Sequence, residues 1–173
     1  MQAHRLDRRD LSGVALDRVL RSDSVRELEF LLARRNDLAR SPLDSAAIRA
    51  EAEILDHAIE TIFGVSRRLA VYGSLAPGEP NHHVLCDLGG EWLDVVIRGR
   101  LIDSGWASDL GYPALSWDPN GDDIPAKLFI SAHLPDHWDR IDAFEGDHYR
   151  RDLVTVHHLG GETSVANTYV LRV

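Results

Sequence analysis

Residues 64–85 read GVSRRLAVYGSLAPGEPNHHVL, and the fold turns on how this stretch is read. Up to Gly64 the apolar residues recur every three or four positions. After Ser66 the rhythm changes. Leu69, Ala70 and Val71 form a short apolar run that leaves through Tyr72 and Gly73 into APGEPN, a cluster of residues that favour turns. A strand therefore begins near residue 67, and a helical segment ends just before it.

Downstream, the same strand rhythm recurs in EWLDVVIRGRLID (91–103), IPAKLFIS (124–131), RDLVTVHHL (151–159) and TSVANTYVLRV (163–173). DPNGDD and LGGE separate these runs as turns. One short helix interrupts, opened by Pro135 and closed by Gly146. Residues 67–173 are thus predicted to be α+β, a small mixed or antiparallel β-barrel with a single short helix.

Upstream, residues 1–66 read as an α-helical hairpin. Ser24 with Glu27 forms a capping box ahead of the stripe Leu28, Leu31, Leu32, Arg35 and Leu38. Ser41, Pro42 and Asp44 open a second helix whose face carries Ile48, Ala52, Leu55, Ile59 and Ile62, with Gly64 as its stop. Two such stripes need burial against the second part, a second copy or another partner. Self-packing or a homodimer through these helices is the expectation.

Composition is that of an ordinary soluble domain: 173 residues, 44% hydrophobic and 27% charged. No apolar run approaches the roughly 18 residues of a membrane span, and the N-terminus lacks a secretory h-region, so the cytoplasm is the expected compartment. Residues 1–68 hold 12 Arg against 12 acids, which places the whole net charge of −9 in the remainder. An acidic barrel lacks the basic stripe that nucleic acid requires. The single cysteine, Cys86, excludes an intrachain disulfide and is expected to be a small buried residue rather than a nucleophile.

The residue that points most clearly to chemistry is Glu145. Leu134, Trp138 and Ile141 define one helical stripe, and Glu145 is the next step along it, which turns a carboxylate inward. It also falls in the last helical turn, where the macrodipole disfavours negative charge. Both effects raise a carboxyl pKa toward the range where one group can accept and return a proton near neutral pH. The Tyr72-Gly73-Ser74-Leu75 turn is able to aim backbone N–H groups into one concavity, as a developing oxyanion requires. Other constellations are weaker. Ser74 with His82 or His83 lacks the elbow of a serine hydrolase. His133 and His137 are separated by Pro135, His157 and His158 point to opposite strand faces, and no metal or cofactor is expected. Arg98 and Arg100 share a strand face that reads as solvated.

The order of these motifs resembles the γ-glutamylcyclotransferase superfamily, most of all its γ-glutamylamine cyclotransferase and plant avirulence-induced branch. VYGSLAPGEPNHHVL, GYPAL at 111–115, IPAKLF, and IDAFEGDHYRRDLVTV carry the likeness, with Glu145, Gly146, Tyr149, Arg151 and Val156 on its pattern. The resemblance implies a reaction without cofactor, in which the α-amine of a γ-glutamyl group attacks its own γ-carbonyl to give 5-oxoproline and a free amine or amino acid. It implies Glu145 as the acid/base and the loop of Tyr72, Gly73, Ser74 and Leu75 holding the γ-glutamyl moiety largely by backbone contacts; Tyr72, Tyr149 and Tyr112 are further candidates for lining the pocket. Where the family has Gly-Glu-(Leu/Val)-Tyr, this chain has Ala126, Lys127, Leu128 and Phe129. A metabolite-binding or interaction protein on the same fold is the alternative.

Overall fold

The computed structural model describes residues 24–42, 45–102 and 113–172. They divide into two units, one ending at Ile62 and one running from Phe63 onward. Tyr112 lies outside the described residues, as do Gly111 and Asp44.

The first unit contains helices α1 (Val25–Arg40) and α2 (Ala46–Phe63). Leu28, Leu31, Leu32 and Leu38 of α1 and Leu55 and Ile59 of α2 are buried. Arg35 departs from the expected apolar stripe. Its guanidinium reaches Asp56 of α2, and Asn36 takes the buried place instead. Arg34 joins the same two helices through a two-point bond to Glu51 at 2.8 Å. Two caps differ from expectation. Ser24 starts α1 with its carbonyl, which accepts from the N–H groups of Glu27 and Leu28, and its hydroxyl does not cap. α2 begins after Ser45 rather than at Pro42, because the Ser45 hydroxyl accepts the Ile48 N–H at 3.2 Å, the bond an N-cap serine makes three residues on.

Gly64 ends α2 at φ 60°, a left-handed conformation that only glycine adopts without strain. A 3₁₀ turn, Val65–Arg67, leads into β1 (Arg68–Val71). The remaining strands are β2 (Glu91–Ile102), β3 (Ala114–Trp117), β4 (Asp122–Ile130), β5 (Tyr149–His158) and β6 (Thr163–Leu171). Helix α3 is a single turn, His83–Cys86, and α4 spans Trp138–Glu145. The sheet order β3-β2-β4-β1-β6-β5, with an added β2–β5 pairing, closes β2, β4, β1, β6 and β5 into a five-stranded barrel. It is mixed, because β1 runs parallel to β6 and antiparallel to β4. β3, hidden in the GYPAL motif, pairs with the end of β2 from Gly99 to Ile102.

β1 is only four residues long, yet it holds the centre of the wall. Side chains reinforce its short parallel ladder: Asn167 donates to the carbonyls of Val65 and Arg68, and Thr168 to that of Ala70. Alternation along the strands then separates two cores. Ala70, Val95, Ile97, Ala126, Leu128, Val154, Val156, Ala166 and Val170 come from all five strands and fill the barrel. Leu69, Val71, Phe129 and Tyr169 face the other way, against Leu85, Leu134, Trp138 and Ile141. The variant strand Ala126 to Phe129 serves both layers. Ala126 and Leu128 point in, Phe129 points out onto Trp92, and Lys127 pairs with Asp94 at the surface.

Cys86 is exposed, contrary to expectation, because the single turn of α3 directs Val84 and Leu85 inward and leaves Cys86 on its outer side. Arg98 and Arg100 pair with Asp123 and Asp118 on the surface. Among the described residues, no helix is long and apolar enough to cross a membrane. No group of three or more His, Cys, Asp or Glu among them is arranged to hold a metal ion.

Candidate active site

Helix α4 is placed by its own apolar stripe. Leu134 and Ile141 are fully buried, and Trp138 packs beside them while donating its indole N–H to the Ser66 carbonyl at 2.9 Å. That bond ties the helix to the chain just before β1. A short 3₁₀ turn, Leu134–Asp136, precedes it, so Pro135 opens the turn and α4 proper begins at Trp138. Gly146, at φ 74°, ends it by donating its N–H to the Asp142 carbonyl. Glu145 is the last helical residue. The stripe delivers it to one end of the barrel, where β1 and β6 finish side by side and β5 begins.

There a cavity is lined by Tyr72, Gly73, Ser74, Leu75, Glu145, Tyr149 and Tyr169, with Ala70, Val71 and Pro113. The cavity thus brings Glu145 and the loop residues together with Tyr149. Burial pushes the Glu145 carboxyl up to about 7, and the negative charge of Asp142 one turn earlier adds to the rise. No cation pairs with Glu145 among the described residues.

The loop is held from behind. The Ala76 N–H donates to the Gly73 carbonyl, and Asn81 donates its backbone N–H to the Ser74 carbonyl and its side-chain amide to the Ser74 hydroxyl, both at 2.9 Å. Among the described residues, no acceptor faces the backbone N–H groups of Gly73, Ser74 and Leu75. Gly73, Ser74 and Leu75 all line the cavity, and backbone N–H groups without an internal acceptor are the kind of donor that a carbonyl or carboxylate oxygen takes. His82 approaches the Leu75 carbonyl and His83 the Pro80 carbonyl, so neither stands as a base to Ser74.

The tyrosines differ in what they can offer. Tyr72 donates to the Tyr169 carbonyl at 3.0 Å and accepts from the Leu115 N–H at 3.1 Å, so its hydroxyl ties three strands together. Burial raises its pKa far above the ordinary phenol range. Tyr169 donates to Asp142 at 2.6 Å, and Asp142 also takes a two-point bond from Arg151, whose guanidinium lies 4.3 Å above the Trp138 ring. Tyr149 is the one of the three whose hydroxyl has no partner among the described residues. Its pKa is raised by burial and then by Glu145. Sequence reading missed Asn81, Asp142 and Tyr169 as parts of this assembly. Asn81 stood in the quoted PNHH string, whereas Tyr169 and Asp142 meet only through the fold.

A family model described as gamma-glutamyl cyclotransferase, AIG2-like, matches residues 69–173. The chain belongs to this family. The match covers the barrel and leaves the helical hairpin outside it. Among solved structures, the AIG2-like protein of Mus musculus is 22% identical, with a TM-score of 0.49 over 60% of this chain and 76% of that one. YkqA of Bacillus subtilis is 23% identical with a TM-score of 0.48, covering 61% of this chain but only 36% of its own length. An Arabidopsis thaliana protein solved in solution is 23% identical at a TM-score of 0.45, over 61% and 68%. A comparison with curated protein sequences finds no match. The matched residues include both elements that line the cavity in this AIG2-like chain, the loop from Tyr72 to Leu75 and the helix end at Glu145.

Proposed function

We propose that the chain converts a small γ-glutamyl amine or γ-glutamyl amino acid to 5-oxoproline and the free amine. The observation that carries this reading is a carboxyl group poised near pH 7 on the same cavity as three unshared backbone N–H groups. The γ-carbonyl oxygen would sit against the amides of Gly73, Ser74 and Leu75. Glu145 takes a proton from the substrate α-ammonium. The amine nitrogen then bonds to the γ-carbon, and negative charge develops on the oxygen facing the amides. Collapse of that intermediate breaks the bond to the leaving nitrogen as Glu145 gives it the proton, and the ring nitrogen sheds its second proton, which departs with the amine as an ammonium. Two protons thus pass from the attacking nitrogen to the leaving one, and no water or cofactor is consumed. Because the attack is intramolecular, holding the glutamyl chain folded contributes up to ~7–11 kcal/mol of the barrier reduction.

The test is mass-spectrometric detection of 5-oxoproline after incubation with a panel of γ-glutamyl amino acids and γ-glutamyl amines. Release from at least one member above the uncatalysed rate supports the reading. No release from any member by folded protein would overturn it and favour a metabolite-binding role on the same barrel.

Asn81 supplies a second expected outcome. Asn81→Ala removes only the side-chain clamp on Ser74 and leaves the backbone bond in place. The loss of one hydrogen bond should change stability by about 1 kcal/mol. Displacing the loop amides by a fraction of an ångström should lower kcat/KM by roughly tenfold. Steady-state kinetics beside a thermal melt separate the two effects.

A further inference from the structure

The cavity that contains Glu145 is small, about 70 Å³. It suits the glutamyl portion common to every candidate substrate and leaves little space for the variable leaving group. Tyr149 and Tyr169 also line a second cavity, of about 620 Å³, to which Asp142, Ala143 and Gly146 of the Glu145 helix end contribute. A leaving nitrogen that receives its proton from Glu145 must start beside that helix end, so the group attached to it has this larger space next to it.

Resting on the cyclotransferase reading, we propose that the second cavity is the leaving-group subsite and that Arg172 selects leaving groups bearing a carboxylate. Three arginines line it, and they are not equivalent. Arg151 has its fork on Asp142, and Arg150 holds both oxygens of Asp152 at 3.3 Å. Arg172 has no carboxylate partner among the described residues. Its Nε donates to the Tyr149 carbonyl at 2.8 Å and its backbone N–H to the His148 carbonyl at 2.9 Å. That anchoring fixes the guanidinium beside the tyrosine shared by both cavities and leaves its two terminal nitrogens for a planar, two-point carboxylate contact. Asp147 also lines this cavity and, like Arg172, is exposed, but on the turn after Gly146 it makes no side-chain bond to a described residue, whereas Arg172 is held through its Nε. The anchored charge is therefore the positive one, and an anionic leaving group is favoured over a cationic one.

The test measures binding separately from turnover. In the full-length Glu145→Gln protein, calorimetry compares γ-glutamylglycine with γ-glutamylglycinamide, which differ in one charge at nearly constant shape. The acid should bind about tenfold more tightly, as one charge-assisted contact implies. Arg172→Gln should bring the two affinities together, and Arg172→Lys should restore part of the preference, since it keeps the charge without the fork. Equal affinities with Arg172 present, a preference that survives Arg172→Gln, tighter binding of the cationic γ-glutamylputrescine, or no binding of any of these ligands would each overturn the proposal. Failure of the cyclotransferase reading has a different signature: native protein that binds the acid with this preference yet forms no 5-oxoproline.

Discussion

Replacing Glu145 by glutamine is expected to lower 5-oxoproline release by about 10²–10⁴-fold, the range a positioned general acid/base contributes. Glutamine keeps the shape and removes the proton acceptor. In the native protein, kcat/KM should rise with pH through about 7, as the buried carboxyl becomes the base that the substrate ammonium requires. The variant should lack that limb. Stability should respond in the opposite sense. The folded-state pKa of about 7 lies above the ordinary value of 4.5, so between these values the unfolded chain ionises Glu145 while the folded one keeps its proton. Stability conferred at low pH is therefore lost as pH rises through this window, by at most on the order of 3 kcal/mol and less after screening at a partly exposed group. Urea denaturation should show the native and Glu145→Gln proteins equally stable near about pH 4 and the variant more stable near about pH 8. A variant less stable than the native protein at the higher pH would mean that the carboxylate has favourable partners, and the raised pKa would lose its basis.

The inward placement of Glu145 was legible in the sequence for a local reason. Leu134, Trp138 and Ile141 give the direction of the helix face, and a carboxylate continuing it at the helix end has no local advantage. The strands were legible for a similar reason, since apolar runs between turn clusters can bury only one way. What escaped was set by contacts between distant segments. β1 and β6 pair in parallel through Leu69 and Asn167, and no local period encodes that choice. Tyr72 meets Tyr169 and Leu115, and Asp142 meets Tyr169 and Arg151, only once the barrel has closed. β3 was missed because four residues after Pro113 are too short a run to show alternation. Cys86 was placed inside on its residue type, although a one-turn helix can bury only one side.

Phe129→Ala is expected to be the most damaging single change in the barrel, costing about 3–5 kcal/mol of a total that is ordinarily only 5–15 kcal/mol. The ring is 1% exposed and stacks on Trp92 with centroids 4.5 Å apart. In register it stands between Leu69 of β1 and Trp92 of β2, on the face that also receives Leu134 and Ile141. It presses so closely on the turn before β2 that a Cβ at Gly90 would come within 2.7 Å of it. Neighbours fixed by two strand ladders cannot collapse into the space the ring leaves, so the cavity term adds to the lost transfer energy. Phe144→Ala supplies the control: the same atoms are removed from a side chain 42% exposed on α4, where the change should stay within about 0.5 kcal/mol. Urea titration should show the midpoint falling for Phe129→Ala with an unchanged slope, and scarcely moving for Phe144→Ala. The same layer carries α4 against β1, and so fixes Glu145 on the cavity it shares with the loop. Under conditions where Phe129→Ala is still folded, the proposed release of 5-oxoproline should therefore fall further than its folded fraction does. Loss in proportion to the folded fraction alone would place the geometry of the cavity under the control of the loop clamp and the Trp138 anchor, and not of the outer core.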